Sequence, residues 1–280
     1  MRRQIWMALL LVSCVGTAAA SGLATVRKQV ESTMLVEGTI DLDSQGRVEH
    51  YTLEHQEALP PAIVKMLARV LPQWRFEPVE VDGQATAVRS DMSLRLVAKK
   101  LDNGNFAVEI RGAHFGQDKP GESVSSAKLL PPRYPQVAVE MGAGGTVYLV
   151  LQIARDGRVQ DAIAEQVNLR IIANERAMAS LRTLLADAAL KAAKRWTFTP
   201  PTRGEEVDAA FWSVRVPVDF FLMDARRPKD HEWHAYVPGP RQPIPWRDDT
   251  SLSSAADALG AGGVYPLDTG LRLLTALDPG

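Results

Sequence analysis

Trp196-Thr197-Phe198-Thr199-Pro200, followed by Gly204, restates Trp74-Arg75-Phe76-Glu77-Pro78, followed by Gly83. Internal repeats are read before anything else, because a missed repeat mis-assigns the whole fold. Here the repeat predicts two copies of one small domain. The 280 residues are long enough for about two domains on the usual prior.

Each motif ends a helical pattern. Ile63, Leu67, Val70 and Trp74 stand at i, i+4, i+7 and i+11, which is one helical face. Leu185, Ala189, Ala192 and Trp196 repeat that spacing 122 positions later (196 − 74). Pro78 and Pro200 cannot continue a helix and turn the preceding residue toward extended geometry. Trp74, Phe76, Pro78, Trp196, Phe198 and Pro200 are therefore expected to form the structural joint where a helix hands the chain to a sheet.

Further out lie strand patterns. Met34, Val36, Ile40 and Leu42 alternate, as do Val147, Leu149, Leu151 and Ile153, and period two predicts half-buried strands. Each runs into a turn and a second strand, at Gln45-Gly46-Arg47-Val48 and at Asp156-Gly157-Arg158-Val159. Glycine suits such turns because it takes positive φ at no steric cost. After the motif, Met92, Leu94, Leu96 and Ala98 alternate, and so do Val214, Val216, Val218 and Phe220. Each unit reads β-β-α-β. The turn glycines lie 111 apart (157 − 46), so the second copy carries 11 extra residues (122 − 111) before its helix. Ile171, Ile172, Met178 and Leu181 there are expected to add a helical turn or two. The fold class is α+β: two tandem domains with small antiparallel sheets.

Composition sets the remaining bounds. The net charge is -1, from 32 Lys and Arg against 33 Asp and Glu. No electrostatic footprint for nucleic acid follows from that balance. Met1-Arg2-Arg3, the apolar run Ile5 to Val12 and Ala18-Ala19-Ala20 have the form of a secretory signal, cleaved after Ala20. The run is well short of the roughly 18 apolar residues of a spanning helix, so no integral span is expected after cleavage. The single Cys14 leaves with the signal. The alternative is that Leu11-Val12-Ser13-Cys14 is a lipobox and Cys14 a lipidation site.

Taken in order, Pro131-Pro132-Arg133-Tyr134-Pro135, Gly145-Thr146-Val147, Asp156-Gly157-Arg158-Val159, Ala188-Ala189-Leu190 and Trp196-Thr197-Phe198-Thr199-Pro200, with an apolar strand to Phe221, resemble the C-terminal domain of TonB-type energy transducers. The resemblance covers about residues 120 to 223, and residues 30 to 99 resemble the same domain in degenerate form. The expected layout is a signal peptide over 1–20, a degenerate TonB-like domain over 21–111, a linker over 112–130, a TonB C-terminal-like domain over 131–224 and a Pro-rich, largely irregular tail over 225–280.

The resemblance implies a function. TonB-type domains grip a short segment of outer-membrane receptors by strand addition to a sheet edge, and an inner-membrane motor pulls. Carried over by position, the partner-binding residues are Arg133, Tyr134 and Pro135 near the contact and Val214, Arg215, Val216 and Val218 on the last strand. With a short, cleavable apolar run and no Pro-rich spacer read in these residues, the sequence is expected to resemble the gripping end without the pulling end. Pro217 has no N–H to donate, which places its strand at an edge and removes one donor from a partner. The equivalent position in the first copy is Arg95, so that edge is expected to be the more complete template.

The functional expectation is a periplasmic, non-enzymatic protein that binds an envelope partner of the TonB-dependent receptor type. The alternative is an envelope assembly module, lipid-anchored or not, that forms a homodimer through its sheet edges. No cofactor and no metal are expected. His50 and His55 read as exposed and uninvolved, and His231-Glu232-Trp233-His234 lacks metalloprotease spacing. No nucleophile elbow, P-loop or dinucleotide fingerprint appears. Gly142-Ala143-Gly144-Gly145 precedes a strand and reads as a flexible lead-in to the sheet. The tail, with Pro238, Pro240, Pro243 and Pro245 among Trp233, Tyr236 and Trp246, has polyproline character. It is either disordered or engaged through its aromatics, docked back on a domain or binding a partner, with a short helix over Leu271 to Leu277.

Overall fold

The computed structural model describes residues 23, 25–81, 83–101, 103–116, 121–223, 225–247, 256–267 and 270–277. The expected signal peptide and Cys14 lie outside the described residues. The fold is mixed α+β, built mostly of small antiparallel sheets with few helices.

The N-terminal half opens with strands β1 (Glu31–Leu42) and β2 (Val48–Leu53), followed by helix α1 (Pro61–Val70), a small hairpin of β3 (Glu80–Val81) and β4 (Gln84–Ala85), and long strands β5 (Val88–Lys100) and β6 (Phe106–Gly116). Asp43 closes the first turn, because its carboxylate accepts the N–H groups of Gln45 and Arg47, both at 2.8 Å. Helix α1 starts on Pro61, which needs no N–H there, and buries Ile63 and Leu67. A short 3-10 turn over Leu71–Gln73 then delivers Trp74 in extended conformation.

The second half holds β7 (Ser125–Lys128), short helix α2 (Gln136–Glu140), β8 (Gly145–Ala154), β9 (Val159–Leu169), α3 (Glu175–Ala193), β10 (Thr197–Thr199) and β11 (Phe211–Phe220), and the tail adds β12 (His234–Tyr236) and β13 (Tyr265–Pro266). Asn174 caps α3 by accepting the Ala177 N–H at 2.9 Å, which satisfies one of the orphan donors of a helix start. The extra residues of this half are shared out. Strand β9 has 11 residues where β2 has 6, and α3 has 19 where α1 has 10. Met178 and Leu181 fall in the early turns of α3 and are buried. Ile171 and Ile172 stay in the connection before it.

The two main sheets share a strand order. In the first, β2 and β5 flank β1; in the second, β9 and β11 flank β8. One face of each packs on its helix. Met34, Val36, Ile40, Met92, Leu94 and Leu96 meet Ile63, Leu67, Trp74 and Phe76 in one core. Val147, Leu149, Leu151, Val214 and Val216 meet Leu181, Leu185, Trp196 and Phe198 in the other. The opposite faces are also buried: Thr33, Leu35, Ser93, Arg95 and Val97 on the first sheet, and Thr146, Tyr148, Val150, Ser213 and Arg215 on the second. Residues of both polar faces line one small cavity of about 70 Å³.

Three expectations require correction. The linker begins inside a strand: β6 runs from Phe106 to Gly116 and pairs with β5 from Asp91 to Lys100. The edge at Arg95, expected to be the more complete template, is therefore covered along its length. Residues 125–128 of the expected linker form β7, which pairs with the motif strand β10. Leu271 to Leu277 is not helical. Leu273 bridges to Phe76, Glu77 donates to the Arg272 carbonyl and Leu274 to that of Arg75.

The tail, of the two alternatives, docks back. It contains little regular structure, yet β12 pairs with β1 and β13 pairs with β11. No described helix is long and apolar enough to cross a membrane.

Candidate functional site

The last strand of the second unit, β11, has one fully occupied side and one shallow side. Toward β8 it pairs over its whole length, from Phe211 with Ala154 to Phe220 with Gly145. On its outer side the partner is a short piece of the tail. Val214 faces Pro266 and Arg215 faces Tyr265. Leu267 donates its N–H to the Ser213 carbonyl at 2.9 Å, and Gly262 donates to the Pro217 carbonyl at 3.3 Å. The strip from Ser213 to Pro217 thus accepts an extended segment. Pro217 offers only its carbonyl to that strip, as a proline on an outer strand must.

The structure splits the sequence-derived residues between two places. Val214, Val216 and Val218 turn their side chains into the helix-packed core. Their N–H and C=O groups, which alternate with the outward carbonyls of Ser213 and Pro217, face β8, so these valines offer the outer edge no hydrogen bonds. Arg215 points to the opposite face and is buried. Tyr134 and Pro135 are half-buried and Arg133 is exposed, at the far end of β11. There the Tyr134 ring stands edge-on to Phe220 with centroids 5.3 Å apart, and its hydroxyl donates to the Ala143 carbonyl at 2.8 Å. Tyr134 therefore pins the Gly142–Gly145 lead-in to the sheet. From Phe220 back to Val214 is six residues, or about 20 Å of strand, so the two groups adjoin one strand but not one spot. The motif aromatics Trp74, Phe76, Trp196 and Phe198 are all buried, while Pro78 is exposed and Pro200 half-buried.

Charge under the strip is tightly held. Glu165 of β9 and Arg215 are both 0% exposed, with bonds of 2.7 and 3.0 Å between them. Arg241 of the tail reaches the same carboxylate at 2.6 Å and is 38% exposed. Beside this group, His114 of β6 meets the Tyr265 ring edge-on at 5.2 Å. Burial, helped by the nearby Arg215 charge, lowers the His114 pKa to about 4. His234 is likewise lowered to about 4, chiefly by burial. Burial also raises the Tyr148 phenol between the sheets, and it raises Glu37 with the help of Asp230 and Glu54.

The other edge of the second sheet is covered too. Val237 and Leu169 exchange backbone bonds of 2.8 and 3.0 Å, and Gln242 donates to the Glu165 carbonyl at 2.7 Å. Gly239 donates to the Asn168 side chain at 3.0 Å. Pro238 and Pro240 have no N–H to leave unpaired, so the polyproline stretch seals the edge without presenting a new row of donors.

Sequence reasoning missed His114, Glu165, Arg241 and Tyr265. The pairs that matter lie far apart in sequence, so spacing carried no signal for them. Strand β6 did have one: Asn103-Gly104 between apolar runs is a hairpin signal, and Gly104 takes φ 83°. Among the described residues no three His, Cys, Asp or Glu side chains gather into a metal-holding group.

Comparison with known proteins follows the same line. Protein tonB2 of Pseudomonas aeruginosa is 33% identical over 91 residues, covering 32% of this chain and 28% of that protein. Protein TonB of Xanthomonas campestris pv. campestris is 31% identical over 99 residues, covering 35% of this chain and 38% of that protein. No family model and no solved structure matches the chain. The chain is TonB-like over about a third of its length and spans 28% to 38% of these curated relatives.

Proposed function

We propose that the chain is a TonB-like protein of the bacterial periplasm that takes hold of an extended segment of an envelope partner by strand addition, as an accessory to TonB-dependent transport. In this reading the two β-β-α-β units are tandem copies, the N-terminal one degenerate. The partner is a TonB-dependent outer-membrane receptor or a protein that presents a similar segment. Export by the signal over residues 1–20 brings the chain to that compartment.

The observation that carries the reading is the outer strip of β11. Between Ser213 and Pro217 this strand accepts main-chain hydrogen bonds from an extended segment. That is the physical act by which strand addition supplies affinity. The TonB-like third of the sequence supplies the direction: relatives named TonB and tonB2 match it at 31% and 33% identity. Within the second sheet the opposite edge is taken: β9 is bordered by Val237 to Gln242, which leaves the outer side of β11 as the accepting edge of that sheet.

Crosslinking in cells followed by mass spectrometry tests the proposal. Recovery of a TonB-dependent receptor joined to residues near β11 is the expected result. Recovery of self-crosslinks alone would overturn it in favour of an assembly module.

A further inference from the structure

We infer that tail residues 262–267 are a releasable strap that occupies the β11 edge in cis and competes with any incoming segment. The inference rests on the reading of β11 as the accepting edge.

The strap is anchored at both ends; between them its own ties are the short β11 pairing, the Arg247 bond to the Leu267 carbonyl at 3.3 Å, the Tyr265 hydroxyl bond to the Gly260 carbonyl at 3.0 Å and the packing of Val264. Upstream, Ala256, Ala258 and Leu259 are buried. The Ser93 hydroxyl donates to the Ala258 carbonyl at 2.8 Å, and the Arg95 guanidinium donates to the Asp257 carbonyl. Downstream, Leu273 joins the first core and Arg75 donates to the Thr275 hydroxyl at 2.8 Å. Between these anchors, residues 263–267 are only half-buried. Pro266 sits in the middle of the pairing and can donate nothing. The register spans two residue pairs, against ten on the β8 side of the same strand.

Glycines bracket the segment. Gly262 has φ 86° and Gly270 has φ 120°, and no atom lies within 4 Å of where a Gly262 side chain would start. Gly262 can act as a pivot for the backbone, while Gly270, where a Cβ would lie 2.4 Å from the Phe115 carbonyl oxygen, is a close-packed fixed point. The strap can therefore leave β11 while the tail remains attached to both units.

The strap also describes its competitor. A segment that replaces it must place an N–H opposite the Ser213 carbonyl and an aromatic ring against His114, as Leu267 and Tyr265 do. It must tolerate the missing donor at Pro217. An extended segment with one aromatic residue flanked by small or apolar residues meets those terms.

The test uses the full mature chain and a fluorescent synthetic peptide of residues 261–267. In the unaltered chain the cis strap is always at hand, and the peptide binds weakly. The Tyr265→Ala/Leu267→Pro variant removes the ring and the Leu267 donor. It is expected to bind the peptide at least about tenfold tighter, as an emptied competent state requires. Equal binding, or none by a variant with unchanged circular dichroism, overturns the strap. Hydrogen exchange on the unaltered chain gives a reading that needs no variant. Gly262 and Leu267 amides are expected to exchange at least about a hundredfold faster than β8 amides through local opening. Exchange of both sets at one common rate overturns the proposal. Binding of the tail peptide by the variant, with no binding of receptor-derived segments, upholds the strap and removes only the receptor reading.

Discussion

The backbone N–H of Phe198 donates to the carbonyl of Gly157 at 2.8 Å, and Phe76 donates to Gly46 at the same distance. The twin aromatic motifs are thus stitched to the twin hairpin turns, 41 residues on in one unit (198 − 157) and 30 in the other (76 − 46). Each stitch needs a close approach. A Cβ on Gly157 would lie 2.2 Å from the Phe198 carbonyl oxygen, and one on Gly46 2.1 Å from that of Phe76.

Gly157→Ala should therefore cost more than backbone strain alone. Gly157 has φ 79°, and Gly83 has φ 73° with open space around it. Gly83→Ala meets only the left-handed penalty, about 1–2 kcal/mol. Gly157→Ala adds a backbone clash and is expected to reach roughly 3 kcal/mol. Urea unfolding of both variants checks this. Equal losses would mean that the stitch relaxes without cost.

The Glu165–Arg215 pair should be far more sensitive to losing one member than to losing both. Both side chains are 0% exposed. Glu165→Ala leaves Arg215 charged in a dry site, an effect of about 3–5 kcal/mol in comparable cases. The double variant Glu165→Leu/Arg215→Met removes both fully buried charges, leaves only the 38% exposed Arg241 of the group, and is expected to be closer to the unaltered chain. A double-mutant cycle from thermal or urea unfolding measures the difference.

How far the sequence could carry this picture follows from which forces leave a local pattern. Helices α1 and α3 bury one apolar face, and strands β1, β5, β8 and β11 alternate an apolar face that meets the helix with a buried face that includes polar residues such as Thr33, Arg95, Thr146 and Arg215, so their periods were readable. Strand β6 was not, because a bulge opposite Arg95 and Leu96 inserts Arg111 between Ile110 and Gly112. That extra residue shifts the apolar alternation from Ile110 to Ala113 and Phe115. The tail left no period at all, since a polyproline stretch binds through a few N–H groups rather than a face. Pro217 marked the outer strand correctly by its chemistry. What fills that edge depends on a segment 45 residues or more away (262 − 217), which no local rule reaches.

Stability should fall as pH drops from 6.5 toward 4. His114 and His234 have folded-state pKa values lowered to about 4 from 6.5, mainly by burial. The unfolded chain binds more protons across that window, so stability is complete above about pH 6.5 and is lost as the pH approaches 4. Arg215 faces His114; Arg95 and Arg170 oppose a charge on His234, while Asp219 favours it. Each histidine should contribute on the order of 1–3 kcal/mol to the loss summed over that window. Urea midpoints at pH 7, 6, 5 and 4.5 give the slope, and His114→Gln should flatten part of it. An unchanged slope in that variant would place the titration elsewhere.

Gly239→Ala should expose the β9 edge. A Cβ there would sit 2.2 Å from the Val167 carbonyl oxygen and 3.1 Å from Arg182, so the polyproline stretch must lift. Lifting breaks the Gly239 bond to Asn168 and loosens the Gln242 bond to Glu165. A bare edge strand is a template for another chain. The variant is expected to show faster hydrogen exchange over 237–242 and concentration-dependent self-association in sedimentation, with the core ladders of β8 unchanged. A monomer with unchanged exchange would show that the tail does not guard this edge.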